Sequence, residues 1–76
     1  MLTDNERIAV KMLVNSIKSD RRIKDIATKR NNLEMIASLD GHESSIENAL
    51  EELSYAGERY KEIFDFFKTM LEAETL

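Results

Sequence analysis

The stretch that decides the fold is Ile-Ala-Val-Lys-Met-Leu-Val-Asn-Ser-Ile, residues 8–17. At 100° per residue, Ile8 and Met12 lie on one side of a helix. The nearly opposite side carries Val10, Val14 and Ile17. A helix that is apolar almost all round is usually buried on more than one side. The stretch therefore predicts a helix that packs against more than one neighbour.

The residues on either side of this stretch set its predicted ends. Thr3 followed by Glu6 forms a capping-box pattern, in which each side chain accepts a backbone N–H at the helix start. After Ile17, the run 18–22 has no apolar side chain, and Ser19 or Asp20 is a suitable cap for a new helix. We therefore expect a first helix over 4–18 and a second over 20–39.

The second helix shows apolar spacings of three and four, and it contains the pair Asn31-Asn32. Asparagine competes for backbone hydrogen bonds, so this pair indicates a kink or a short break. Gly41 is the expected helix stop, because glycine enters the left-handed region at little cost. Ser44 with Glu47 repeats the capping-box pattern.

A third helix is predicted over 44–74 from a heptad-like register of the kind found in coiled coils. The register runs through Ile46, Ala49, Leu53, Ala56, Tyr60, Ile63, Phe67 and Met70. Gly57 costs about 1 kcal/mol inside a helix, so it either ends one helix or marks a close approach of a neighbour. Because the register continues through it, we favour one long helix.

Composition supports an all-α fold. The chain has 76 residues with no cysteine, no proline and two glycines, which favours a few long helices and excludes disulfide scaffolds. We expect a single helical domain, 1–76, built as an antiparallel helical hairpin or three-helix bundle and completed by homodimerisation. A third helix of this length spans ~45 Å at 1.5 Å per residue, more than its partners could cover.

A sparser stripe on the predicted third helix is the candidate partner-binding site. Tyr55 and Phe66 project roughly opposite the main apolar face, with Arg59 and Glu62 between them. Aromatic residues and arginine are enriched at the centres of protein interfaces. We expect self-association or a partner groove here; the alternative is that Tyr55 and Phe66 lie over a terminus or loop.

Charge is divided along the chain. Residues 1–38 carry a net charge of +3 (eight basic, five acidic), and residues 39–76 carry −7 (three basic, ten acidic), which gives −4 for the whole. One interpretation is that oppositely charged helices lie side by side. The other is a nucleic-acid-associated helical domain whose basic segment, 18–30, binds phosphate backbones. Its candidate nucleic-acid residues are Lys18, Arg21, Arg22, Lys24, Lys29 and Arg30.

Residues 36–53 resemble a helix-turn-helix in rhythm, with Ala37 before the turn and Gly41 in it. The next apolar residue, Ile46, is one position closer to Gly41 than the usual helix-turn-helix spacing requires. The helix that would read DNA carries glutamates at 43, 47, 51 and 52 and neither lysine nor arginine. Because those carboxylates would face phosphates, the resemblance does not imply DNA reading. An acidic helix that imitates DNA toward a DNA-binding protein is a further alternative.

No pattern for catalysis or a metal stands out. His42 is the single histidine, and no nucleophile is evident beside it; the segment 40–43 matches neither an EF-hand loop nor a zinc helix. We expect no enzyme activity, no cofactor and no metal. No apolar run reaches the ~18 residues of a membrane span, and we expect a cytoplasmic regulatory or adaptor protein that acts by binding itself and another protein.

Overall fold

The computed structural model describes residues 1–73, which form three helices packed against one another. They are α1 (Asp4–Lys29), α2 (Leu33–Ser54) and α3 (Glu58–Glu72). The all-α prediction is confirmed, although the predicted helix ends are not. Residue 74, the predicted end of the last helix, lies outside the described residues.

The start of α1 is the predicted capping box. The Glu6 N–H donates to Thr3 Oγ1 at 3.1 Å, and the Thr3 N–H donates to Glu6 Oε1 at 2.8 Å. The predicted end at residue 18 is wrong, because α1 continues to Lys29. The polar run 18–22 contains neither glycine nor proline, and lysine and arginine are good helix formers, so a lack of apolar residues does not end a helix.

The turn between α1 and α2 lies at Asn31-Asn32, where the sequence indicated a kink or break. Asn31 adopts φ 58°, the left-handed conformation that asparagine tolerates better than most residues. The Asn31 N–H donates to the Thr28 carbonyl at 3.1 Å, and the Asn32 N–H donates to the Ala27 carbonyl at 2.9 Å, which is a Schellman motif. The Asn32 side chain then accepts the Met35 N–H as the N-cap of α2.

The predicted stop at Gly41 and the second capping box are wrong, because α2 runs without interruption from Leu33 to Ser54. Gly41 has no positive φ, and no atom lies within 4 Å of the place where its Cβ would stand. An exposed helix tolerates such a glycine at a cost of about 1 kcal/mol. The partly buried Ile46 and Leu50, which follow it in α2, pack on the core.

The predicted long helix through Gly57 is also wrong, because α2 ends at Ser54 with Tyr55 as its C-cap. Gly57 is the N-cap of α3, with extended backbone. The break lets α3 fold back on the first two helices, where Phe67 and Leu71 become buried. Burial of these two side chains in a core outweighs the continuity of the heptad register.

The core lies where α1 and α3 meet. It contains Val10, Val14 and Ile17 of α1 with Phe67 and Leu71 of α3. Packed against it are partly buried residues of α2 and α3: Ile46, Leu50, Ile63, Phe64, Phe66 and Met70. Helix α2, Leu33–Ser54, has no fully buried residue.

Ion pairs and one hydrogen bond give the helix directions. Arg21 of α1 pairs with Glu43, and Lys24 pairs with Asp40, so α1 and α2 are antiparallel. Arg59 pairs with Glu6 near the starts of α3 and α1, and Lys18 Nζ donates to the Ala73 carbonyl near the end of α3. Helix α3 therefore runs parallel to α1 on one side of the α1–α2 hairpin.

Candidate protein-binding surface

The outward side of α1 carries large apolar side chains that the fold leaves in solvent. Ile8, Met12, Ile23 and Ile26 are between 43% and 67% exposed. At 100° per residue they lie roughly opposite the buried core positions of α1. Residues 8–17 are apolar almost all round, but only the core side of α1 packs against the other helices. The opposite side stays exposed to solvent.

This side of α1 is also free of charge over most of its length. Between Asn5 and Ala27, the positions within about 60° of its centre are uncharged at 100° per residue. They are Asn5, Ile8, Ala9, Met12, Asn15, Ser16, Ser19, Ile23, Ile26 and Ala27, and all are exposed except the partly buried Ser19 and the buried Ala27 near the turn. An exposed helix side normally carries charges, so this stripe is unusual for a surface in contact with water alone.

Helix α2 extends the stripe into a surface two helices wide. Met35 and Leu53 are 43% and 45% exposed, and with His42 and Ala49 they lie on one side of α2. His42 Nδ1 lies 2.9 Å from Asp20 Oδ2, and this contact joins the two helices. Glu47, which pairs with Lys68 of α3, is about 140° round α2 from His42, so the contact lies on the side away from α3. We call the combined surface the hairpin face: Ile8, Met12, Ile23 and Ile26 of α1 with Met35, His42, Ala49 and Leu53 of α2.

The predicted partner-binding residues are not on one helix face. Tyr55 is the C-cap of α2 and is 80% exposed. Arg59 pairs with Glu6, and Glu62 pairs with the terminal amine of Met1 at 2.8 Å. Phe66 packs against the core. The premise that Tyr55 and Phe66 share a continuous helix is wrong, since the chain breaks between them.

The basic segment 18–30 is partly engaged by the acidic second helix. Arg21 holds Glu43 through two hydrogen bonds of 2.8 and 3.0 Å. This contact raises the pKa of Arg21 and lowers the pKa of Glu43. Lys24 Nζ lies 2.6 Å from Asp40 Oδ1, and the hydrogen bond between them raises the pKa of Lys24. The contacts match the interpretation in which the two halves pair with each other.

The other candidate nucleic-acid residues are placed differently. Lys18 donates to the Ala73 carbonyl at 3.1 Å. Arg22, Lys29 and Arg30 are exposed. The six cations therefore do not form one surface, because those at 21 and 24 point toward α2 and those at 22 and 29 point away from it.

Two clefts lie elsewhere on the bundle. One, of about 490 Å³, is lined by Lys18, Arg21, Glu47, Lys68, Leu71, Glu72 and Ala73. The other, of about 360 Å³, lies between α2 and α3 and is lined by Glu51, Ser54, Tyr55, Lys61, Phe64 and Asp65. In the first, Lys68 Nζ lies 2.7 Å from Glu47 Oε1, so these two opposite charges are paired within the cleft.

Residues 1–73 contain no group of three or more metal-ligand side chains placed to hold an ion. In that part of the chain, His42 contacts Asp20 instead of its sequence neighbours Asp40 and Glu43. Among the described helices, none is long and apolar enough to cross a membrane.

Comparison with known proteins does not place the chain in a family: no family model, curated protein or solved structure matches it. Sequence reasoning identified the α1 part of the hairpin face through the opposed positions of Ile8 and Met12. It missed the contribution of Met35 and Leu53, because the predicted helix ends placed them on different helices.

Proposed function

We propose that the chain is a small regulatory or adaptor protein that acts by protein–protein interaction through the hairpin face. Its targets are apolar helical surfaces. The observation that carries the proposal is the exposure of Ile8, Met12, Ile23 and Ile26 in one uncharged stripe. Contiguous apolar surface of this kind marks interaction sites on small proteins.

The energetics support a binding role. Full burial of an isoleucine or methionine side chain contributes ~1.5–3 kcal/mol, and each of these four is about half exposed. Covering them would add roughly 1 kcal/mol apiece. A chain of this size has a small core and limited stability of its own, so a partner that covers the stripe also stabilises the fold.

Site-specific photo-crosslinking in the source cell tests the proposal. Met12→p-benzoylphenylalanine places the probe in the middle of the hairpin face, and Thr69→p-benzoylphenylalanine places it on an exposed part of α3. We expect protein adducts from position 12 and few from position 69. Equal yields from both positions, or no adduct from position 12, would refute the hairpin face as a binding surface.

A further inference from the structure

We propose that the occupant of the hairpin face is a second copy of this chain. The two copies are related by a two-fold axis parallel to the helices, so that α1 of each copy lies over α2 of its partner. This inference rests on the proposed function, because it names the partner of the same face. The two hairpins together form a four-helix bundle in which every neighbouring pair of helices is antiparallel.

The charges of the two helices favour this arrangement. Helix α1 contains seven basic and four acidic residues, a net charge of +3, whereas α2 contains six acidic residues and neither lysine nor arginine, a net charge of −6 with His42 neutral. Two hairpin faces can meet about a two-fold axis with α1 on α1 or with α1 on α2. The first brings like charges together, and the second brings opposite charges together.

The register of the hairpin makes that complementarity specific. The cross-helix pairs Lys24–Asp40, Arg21–Glu43 and Asp20–His42 align the two helices. Continued along the helices, this register places Lys11 level with Glu52 and Lys29 level with Glu34.

Within one copy these residues lie at opposite edges of the hairpin. Lys11 and Lys29 are about 140° round α1 from Lys24, and Glu34 and Glu52 are about 180° round α2 from Glu43. No ion pair links Lys11, Lys29, Glu34 or Glu52 to another group within residues 1–73. With α1 over the partner's α2, each lysine comes to the same edge and level as a glutamate of the other copy.

The area available suits a stable dimer. Helix α2, with 22 residues, is about 33 Å long at 1.5 Å per residue, and two packed helices are about 20 Å wide. Their face therefore offers roughly 650 Å², close to the ~800 Å² that each partner contributes to a typical specific interface.

Sedimentation equilibrium of charge-reversal variants tests both the partner and the arrangement. We expect the wild-type chain to be dimeric, and Lys11→Glu and Glu52→Lys each to raise the dissociation constant about tenfold, since each change turns two symmetric attractions into repulsions. The double variant should return to within about threefold of wild type. Lys61→Glu, an equal change of charge on exposed α3, should leave the dissociation constant unchanged.

Met12→Glu removes an apolar contact at the centre of the face and should raise the dissociation constant at least about 100-fold. Because Met12 is mostly exposed in one copy, circular dichroism should show unchanged helix content in the resulting monomer.

Three results overturn the inference. A wild-type chain that is monomeric at about 0.1 mM, where a micromolar dimer would be formed, excludes the second copy. A tighter dimer with Lys11→Glu means that α1 packs on α1. If the variant that combines Lys11→Glu with Glu52→Lys does not recover, Lys11 and Glu52 do not pair across the interface.

The outcomes also separate this inference from the proposed function. A monomeric chain that still crosslinks to a different protein from position 12 removes only the inference. A dimer that Met12→Glu leaves intact also removes only the inference, whereas the absence of crosslinks from position 12 removes both.

Discussion

Gly41→Ala should stabilise the protein by about 1 kcal/mol. Gly41 lies inside α2 without a positive φ, and a Cβ there meets no atom within 4 Å. Alanine then gains the difference in helix propensity, ~1 kcal/mol, without strain. In a chain of 76 residues this corresponds to a rise in melting temperature of roughly 4–8 °C.

Urea unfolding followed by circular dichroism at a fixed chain concentration measures the effect, with Gly57→Ala as the matched control. Gly57 is the N-cap of α3, and its Cβ would lie 3.9 Å from Tyr60 Cδ2, an ordinary contact. Alanine is a poorer N-cap than glycine, so this variant should be slightly destabilised. If Gly41→Ala instead destabilises by 1 kcal/mol or more, Gly41 is a left-handed helix stop and a continuous α2 is refuted.

Asn31→Ala should lower the free energy of unfolding by about 1 kcal/mol, because alanine adopts the left-handed φ of 58° less readily, whereas Asn31→Gly should be nearly neutral in the same urea titration. Phe67→Ala should cost about 3–4 kcal/mol, since Phe67 is fully buried, and Phe66→Ala should cost clearly less; equal losses would contradict the core assignment. The hydrogen bond from Arg21 lowers the pKa of Glu43 below its usual 4.5. The ionised Glu43 therefore stabilises the fold above pH 4.5, and this contribution is lost as the pH falls through the lowered pKa of Glu43. A pH series of melting temperatures should fall less steeply in this acid range for Glu43→Gln, and an unchanged slope would exclude the pair as a source of acid sensitivity.

The helical nature of the chain could be predicted from sequence because it depends on local properties. The Thr3–Glu6 capping box and the i, i+4 spacing of Val10 and Val14 act within one helix, and both appear as expected. The Asn31-Asn32 pair was recognised as a break for the same reason, since asparagine side chains act on nearby backbone. Which break reverses the chain depends on tertiary packing.

The two glycines show why the helix ends were harder to predict. Gly41 has the local features of a stop, yet it is helical; Gly57 fits a heptad register, yet it begins a new helix. The difference lies in what each break would bury. The turn before Gly57 brings Phe67 and Leu71 onto α1, and that nonlocal gain is absent from any short sequence window. The hairpin face could not be predicted for the same reason. It forms only when α1 and α2 are long, antiparallel and in register.

The most direct test of the hairpin face as an interface between two copies is disulfide trapping. The chain has no cysteine of its own, so single substitutions report on single positions. Met12→Cys and Ala49→Cys variants, mixed and oxidised, should form the mixed disulfide in preference to either homodimer, because α1 of one copy lies over α2 of the other. A predominant Met12→Cys homodimer, or no crosslink at all, would contradict the arrangement.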